Sequence, residues 1–246
     1  MIRQLGRTFT ALGMVLLIVA AAPWAASCSA ATIIGQPVLL STLLGGGSLV
    51  SGDKTFDNFS YLPTGDMPPA SSVNVVAIQD NLGNFGIRIQ GNFLDIATSL
   101  GGSDALVTFN VTAGPNRLIS DVHMEGNPTL LGTFGSVSVV ETFLPFCADP
   151  VACRLKIYDD NSLSPPGVLT ASTILPTPTK TLPVQKDIAA YALPNPQNPT
   201  GQGQTATLSF VDQTFSQITI PEPATAALIV GGALGLVLMR RRSSSH

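Results

Sequence analysis

At 246 residues the chain is long enough for one large or two small domains, and 45% hydrophobic residues let it bury a core, but only 11% are charged, well under the roughly 25% usual in soluble globular domains. Its 23 glycines and 19 prolines suit a turn-rich β protein better than a helical one. Between residues 32 and 223 seven basic side chains face fifteen acidic ones, a net of −8, which excludes the basic surface that phosphate-neutralising nucleic-acid binders need.

The N-terminus has the three parts of an export signal. Arg3 and Arg7 precede an apolar stretch, residues 11–22 (ALGMVLLIVAAA), too short for an ordinary spanning helix. Small residues follow, and Ser29 and Ala31 supply the side chains at −3 and −1 that signal peptidase requires, so cleavage is expected after Ala31, with residues 1–31 removed. Two alternatives stay open: an uncleaved anchor, and lipoprotein processing at Cys28, whose Ala25-Ala26-Ser27 context resembles a lipobox without its large aliphatic residue.

The body, residues 32–219, has period two. Residues 85–89 and 105–111 alternate apolar with polar or glycine, and residues 136–143 are rich in β-branched side chains, which predicts strands. Further strands are expected at 54–61, 73–79, 118–124, 154–159, 168–174, 186–191, 205–211 and 215–220, separated by breakers such as Pro68-Pro69, Asn81-Leu82-Gly83-Asn84, Gly126-Asn127-Pro128 and Pro165-Pro166-Gly167. No helical period exceeds two turns and no repeat recurs at fixed spacing. About ten short strands with such turns predict a single antiparallel β-sandwich of jelly-roll or Greek-key type. The proline-rich stretches at 176–183 and 194–201 read as long loops or edge segments.

Once Cys28 is lost with the signal, Cys147 and Cys153 remain as an even pair, in a compartment that permits disulfides. A bond between them would close the base of a hairpin built from strands 136–146 and 154–159, stabilising by about 2 kcal/mol for so small a loop. Free thiols are the alternative, and no second Cys or His pair completes a metal site.

At the C-terminus, Pro221-Glu222-Pro223 is followed by sixteen uncharged residues, 224–239, then Arg240-Arg241-Arg242 and four more residues. As a helix the sixteen would span about 24 Å, just short of a bilayer's hydrocarbon core. The arginines act as a stop and hold that end in the cytoplasm. This order of motif, apolar helix and Arg cluster resembles the PEP-CTERM sorting signal. The resemblance covers residues 220–246 and implies recognition of Pro221, Glu222 and Pro223 by an exosortase in the inner membrane. It further implies cleavage near the motif and delivery to the cell surface or extracellular matrix of a Gram-negative, exopolysaccharide-making bacterium. An ordinary tail anchor is the alternative.

The search for chemistry is mostly negative. His123 is the one body histidine, with Asp121 two residues away on the same strand face, yet no nucleophile motif accompanies it. Asp159-Asp160-Asn161 lacks calcium-loop spacing and reads as a turn. Asn58-Phe59-Ser60 and Asn110-Val111-Thr112 match the glycosylation sequon. The expectation is therefore a noncatalytic surface or matrix protein with no cofactor and no metal, handled by signal peptidase and exosortase, and transiently held in the inner membrane. A carbohydrate-binding module contacting exopolysaccharide through exposed Phe56, Phe59 and Tyr61 is the alternative. A hydrolase whose carboxylates converge only in the fold comes third.

Overall fold

The computed structural model describes residues 31–97, 101–132, 135–143, 154–164, 167–194 and 204–220. Residues 1–30 of the expected signal, Cys147 and Cys153, the motif Pro221 to Pro223, the apolar stretch 224–239 and Arg240 to Arg242 lie outside them. The described chain forms strands Thr32–Ile33 (β1), Val38–Leu39 (β2), Leu49–Ser51 (β3), Lys54–Thr64 (β4), Asn74–Gln79 (β5), Phe85–Ile96 (β6) and Ser103–Ala113 (β7). It continues with Arg117–Leu131 (β8), Gly135–Thr142 (β9), Arg154–Asp160 (β10), Gly167–Val168 (β11), Thr170–Thr179 (β12), Thr181–Ala192 (β13) and Thr205–Thr219 (β14). Among the described residues the helical elements are one turn, Leu40–Leu43, and a 3-10 turn, Ala70–Ser72.

These strands make two antiparallel sheets. The first has the order β1-β5-β6-β14-β8-β12, with β2 also on β5, and the second β11-β10-β9-β13-β7-β4-β3. From β6 to β9 the chain crosses between sheets at every connection, and β12, β13 and β14 alternate again. The all-β sandwich expected from the two-residue period is therefore what the chain forms, and the predicted hairpin of strands 136–146 and 154–159 is the β9–β10 pair, with Arg154 opposite Thr142.

Alternation places the core. In β7, Ala105, Val107, Phe109 and Val111 point inward and are buried, while their neighbours are partly exposed. Phe56 of β4 meets Phe109 at 6.1 Å and, across the sandwich, Phe215 of β14 at 5.9 Å, while Phe59 stacks on Phe109 at 5.6 Å. Such ring pairs add roughly 0.5–1.5 kcal/mol each beyond the area they bury. Phe56, Phe59 and Tyr61 are thus core residues, which corrects the expectation that they are exposed sugar contacts. A bulge keeps all three inward: the register of β4 on β7 slips between Asp57 and Ser60, and exposed Asn58 absorbs the extra residue at φ 55°, a conformation asparagine tolerates.

Several predicted breakers are not breaks. Gly126-Asn127-Pro128 lies inside β8, because β12 pairs only as far as Glu125 and the missing N–H of Pro128 removes no bond on that side. There Asn127 Oδ1 accepts from the backbone N–H groups of Ser209 and Phe210 (3.2 and 3.0 Å), covering an irregularity in β14. The two strands expected at 205–211 and 215–220 are accordingly one, β14. Residues 176–183 contribute to β12, on the edge of its sheet, and β13; Pro183 faces β7 but lies beyond the reach of β9. The strand expected at 168–174 divides, β11 joining one sheet and β12 the other.

Candidate functional site

Period two also dictates a second polar surface, the outer face of the first sheet. Register aligns Arg88 of β6, Asp212 of β14, Glu125 of β8 and Thr170 of β12 in one row, and Gly86, Thr214, His123 and Ser172 in the next. Gly86 is required here, since a Cβ at that position would stand 1.8 Å from the Gln213 carbonyl oxygen. Asp80, at the start of the β5–β6 turn, leans over these rows. Asp80, Asn81, Leu82, His123, Glu125, Thr170, Ala171, Ser172, Asp212 and Thr214 line a cavity of about 340 Å³, beside which Arg88 stands.

The polar groups in and beside this cavity hold one another. Arg88 donates Nε and Nη2 to the two oxygens of Asp212 at 2.6 and 2.7 Å and lies 4.0 Å from the Phe210 ring; the bonds to Asp212 raise the guanidinium pKa further. Asp80 accepts from the backbone of Leu82 and Asn84 and the side chain of Asn84, each at 2.9 Å, and from Thr214 Oγ1 at 2.7 Å. Burial alone would raise this carboxyl, but those bonds outweigh it and hold Asp80 below the usual carboxylate value.

Asp121 and His123 share a face, as their spacing predicts, and His123 reaches Ser216 of β14 as well. Asp121 Oδ1 and Ser216 Oγ both lie 3.1 Å from the same ring nitrogen, Nε2. A Ser-His-Asp relay needs the carboxylate on one nitrogen and the hydroxyl on the other, so this geometry links strands rather than activating Ser216. Asp121 Oδ1 also accepts from the Ser216 backbone at 3.1 Å.

Two further carboxylate sites have equally local roles. Asp160 accepts from the backbone and hydroxyl of Ser162 at 2.8 and 2.6 Å, the turn expected for Asp159-Asp160-Asn161. On the second sheet, burial and then its neighbour Asp187 push Asp104 up to about 6. Asp187 stands on the neighbouring strand β13, two residues from Ala189, which pairs with Asp104. Among the described residues no group of three or more His, Cys, Asp or Glu is placed to hold a metal.

Sequence reasoning passed over a set on the inner faces. Glu141 of β9 and Lys186 of β13 are directly opposed in register and fully buried, and Gln213 of β14 meets them from the other sheet, also fully buried. Their only sequence signal is a polar residue at an inward position, such as Glu141 after Val137 and Val139.

No family model matches the chain, and no curated protein matches it. Among solved structures it is similar to TmCBM61, solved in complex with β-1,4-galactotriose, at 7% identity and TM-score 0.28, over 63% of this chain and 88% of that one. It is also similar to the enzymatically active domain of bacteriophage CBA120 tailspike protein 4, at 10% identity and TM-score 0.27, over 65% of this chain and 19% of that one.

Proposed function

We propose that this chain is an exported, noncatalytic β-sandwich of the cell surface or extracellular matrix, carried across the inner membrane by its N-terminal signal and sorted by an exosortase through its tail. One observation carries the reading: the folded body fills the interval between the two signals. β1 begins at Thr32, directly after the expected cleavage site, and pairs with Gln79 of β5. At the other end the Ile220 N–H donates to the Asn116 carbonyl at 2.8 Å, one residue before Pro221. Removal of both signals would leave every described strand in place. A retained tail helix would press the sandwich against the bilayer without a stalk. The order β6-β14-β8-β12 over β7-β13-β9-β10 supports the jelly-roll form of the sandwich. Replacing Pro221, Glu222 and Pro223 with alanine tests the reading. The expected result is retention in the inner membrane; unchanged release would overturn sorting through this motif.

The outer-face cavity favours one second reading, a site for exopolysaccharide. Its carboxylates and hydroxyls, Glu125, Thr170 and Ser172 among them, are the groups that hydrogen-bond sugar hydroxyls. A glycan array on the exported protein tests it: binding abolished by Ser172→Trp, which fills the cavity, would support it, and no binding to any glycan would dismiss it.

A further inference from the structure

Three polar side chains meet inside the described apolar core. Lys186 Nζ contacts both the Glu141 carboxylate and the side-chain oxygen of Gln213, with Met124 Sδ at 3.6 Å, and all three polar side chains are fully buried. The Gln213 amide is oriented: its Nε2 donates to the His123 carbonyl at 3.1 Å, which turns Oε1 toward Lys186. The second carboxylate oxygen of Glu141, Oε1, has no hydrogen-bond partner. As an ion pair this set is costly, because desolvating two full charges takes several kcal/mol each and one buried acceptor stays unmet. A nucleophile, an amide and a carboxyl in contact, sealed from water, offer a different resolution.

We infer that Lys186 and Gln213 become joined by an intramolecular isopeptide bond, with Glu141 as the proton carrier. Proton transfer within the pair first gives a neutral amine and a neutral carboxylic acid. The Nζ lone pair attacks Cδ of Gln213, forming the new C–N bond. Glu141 passes one proton to the amide nitrogen and takes one from the attacking Nζ, so that the Cδ–Nε2 bond breaks and ammonia leaves. Glu141 ends as the neutral acid that the first step made it, and neither oxidant nor co-reactant is consumed. Burial acts in the direction the first step needs, lowering the pKa of Lys186 and raising that of Glu141 against their mutual attraction. The product removes the buried charges and ties β13 of one sheet to β14 of the other at the centre of the sandwich. A surface or matrix protein exposed to shear would gain a clamp that holds even when its strands separate.

Mass spectrometry of the full-length chain expressed with its own signals is the test. The expected result is a protein lighter by one ammonia than its processed sequence, and a digest containing a branched peptide that joins Lys186 to Gln213. An unmodified mass would overturn the proposal, as would loss of water with Lys186 joined to Glu141. Glu141→Gln, which keeps the side-chain volume, should restore the full mass and remove the branched peptide. A bond formed in that variant to the wild-type extent would contradict the role given to Glu141. The wild-type measurement decides the cross-link even where the variant does not fold.

Discussion

Two neighbouring residues of β14 show how one strand serves two chemistries. Asp212 points out of the sandwich to Arg88, in a row whose side chains border the cavity and solvent; Gln213 points in to Lys186 and Glu141, where solvent is absent. The residue types are alike, an acid with a base in each place. What differs is how fully each set is matched: Arg88 meets both oxygens of Asp212, whereas the inner set keeps an unmet carboxylate oxygen. In the one place the charges stabilise a surface, and in the other they are under pressure to disappear.

That contrast is sharpest if the inner acid is removed. Glu141→Ala leaves Lys186 buried without a counter-charge and should cost about 3–5 kcal/mol, read as a lowered denaturant midpoint; a loss under about 1 kcal/mol would mean that water reaches the set. Asp212→Ala breaks the corresponding outer pair, but Arg88 is 13% exposed and can turn toward solvent. Its expected cost is smaller, about 2–3 kcal/mol, and a loss equal to that of Glu141→Ala would erase the distinction.

Asp80→Ala should cost about 1–2 kcal/mol at neutral pH. Because the folded state lowers the Asp80 pKa, its contribution is present above the unfolded value and is lost as pH falls through the folded one. The difference between variant and wild type should therefore close below pH about 4. The smallest effect belongs to Asp104, raised from 3.8 to about 6. A raised acid favours the fold while protonated, so stability should decline as pH rises between those two values. Asp104→Asn should flatten that part of the stability profile, and an unchanged slope would show that another group is responsible.

Much of the sandwich is legible in the sequence because the period of two survives wherever a strand has one dry and one wet face, as in β7, β9 and β10. It fails for physical reasons that can be named. Pro128 and Pro183 look like stops, yet each lies where one flanking strand has ended. Strict alternation would set Phe56 on the face opposite Phe59 and Tyr61, and only the bulge at Asn58, which the sequence does not mark, brings all three inward. The alignment of Asp121 with His123 was readable from spacing along one strand, while Ser216, Asp80 and the inner triad come from strands far apart in sequence. The two expected terminal signals lie outside the described residues, and their reading rests on the sequence alone.

The termini of the mature protein test the central claim most directly. Mass spectrometry of protein released by the host should find an N-terminus at Thr32 and a C-terminus near Pro223, with the apolar segment and Arg240 to Arg242 gone. A released product that still runs through His246 would contradict the account.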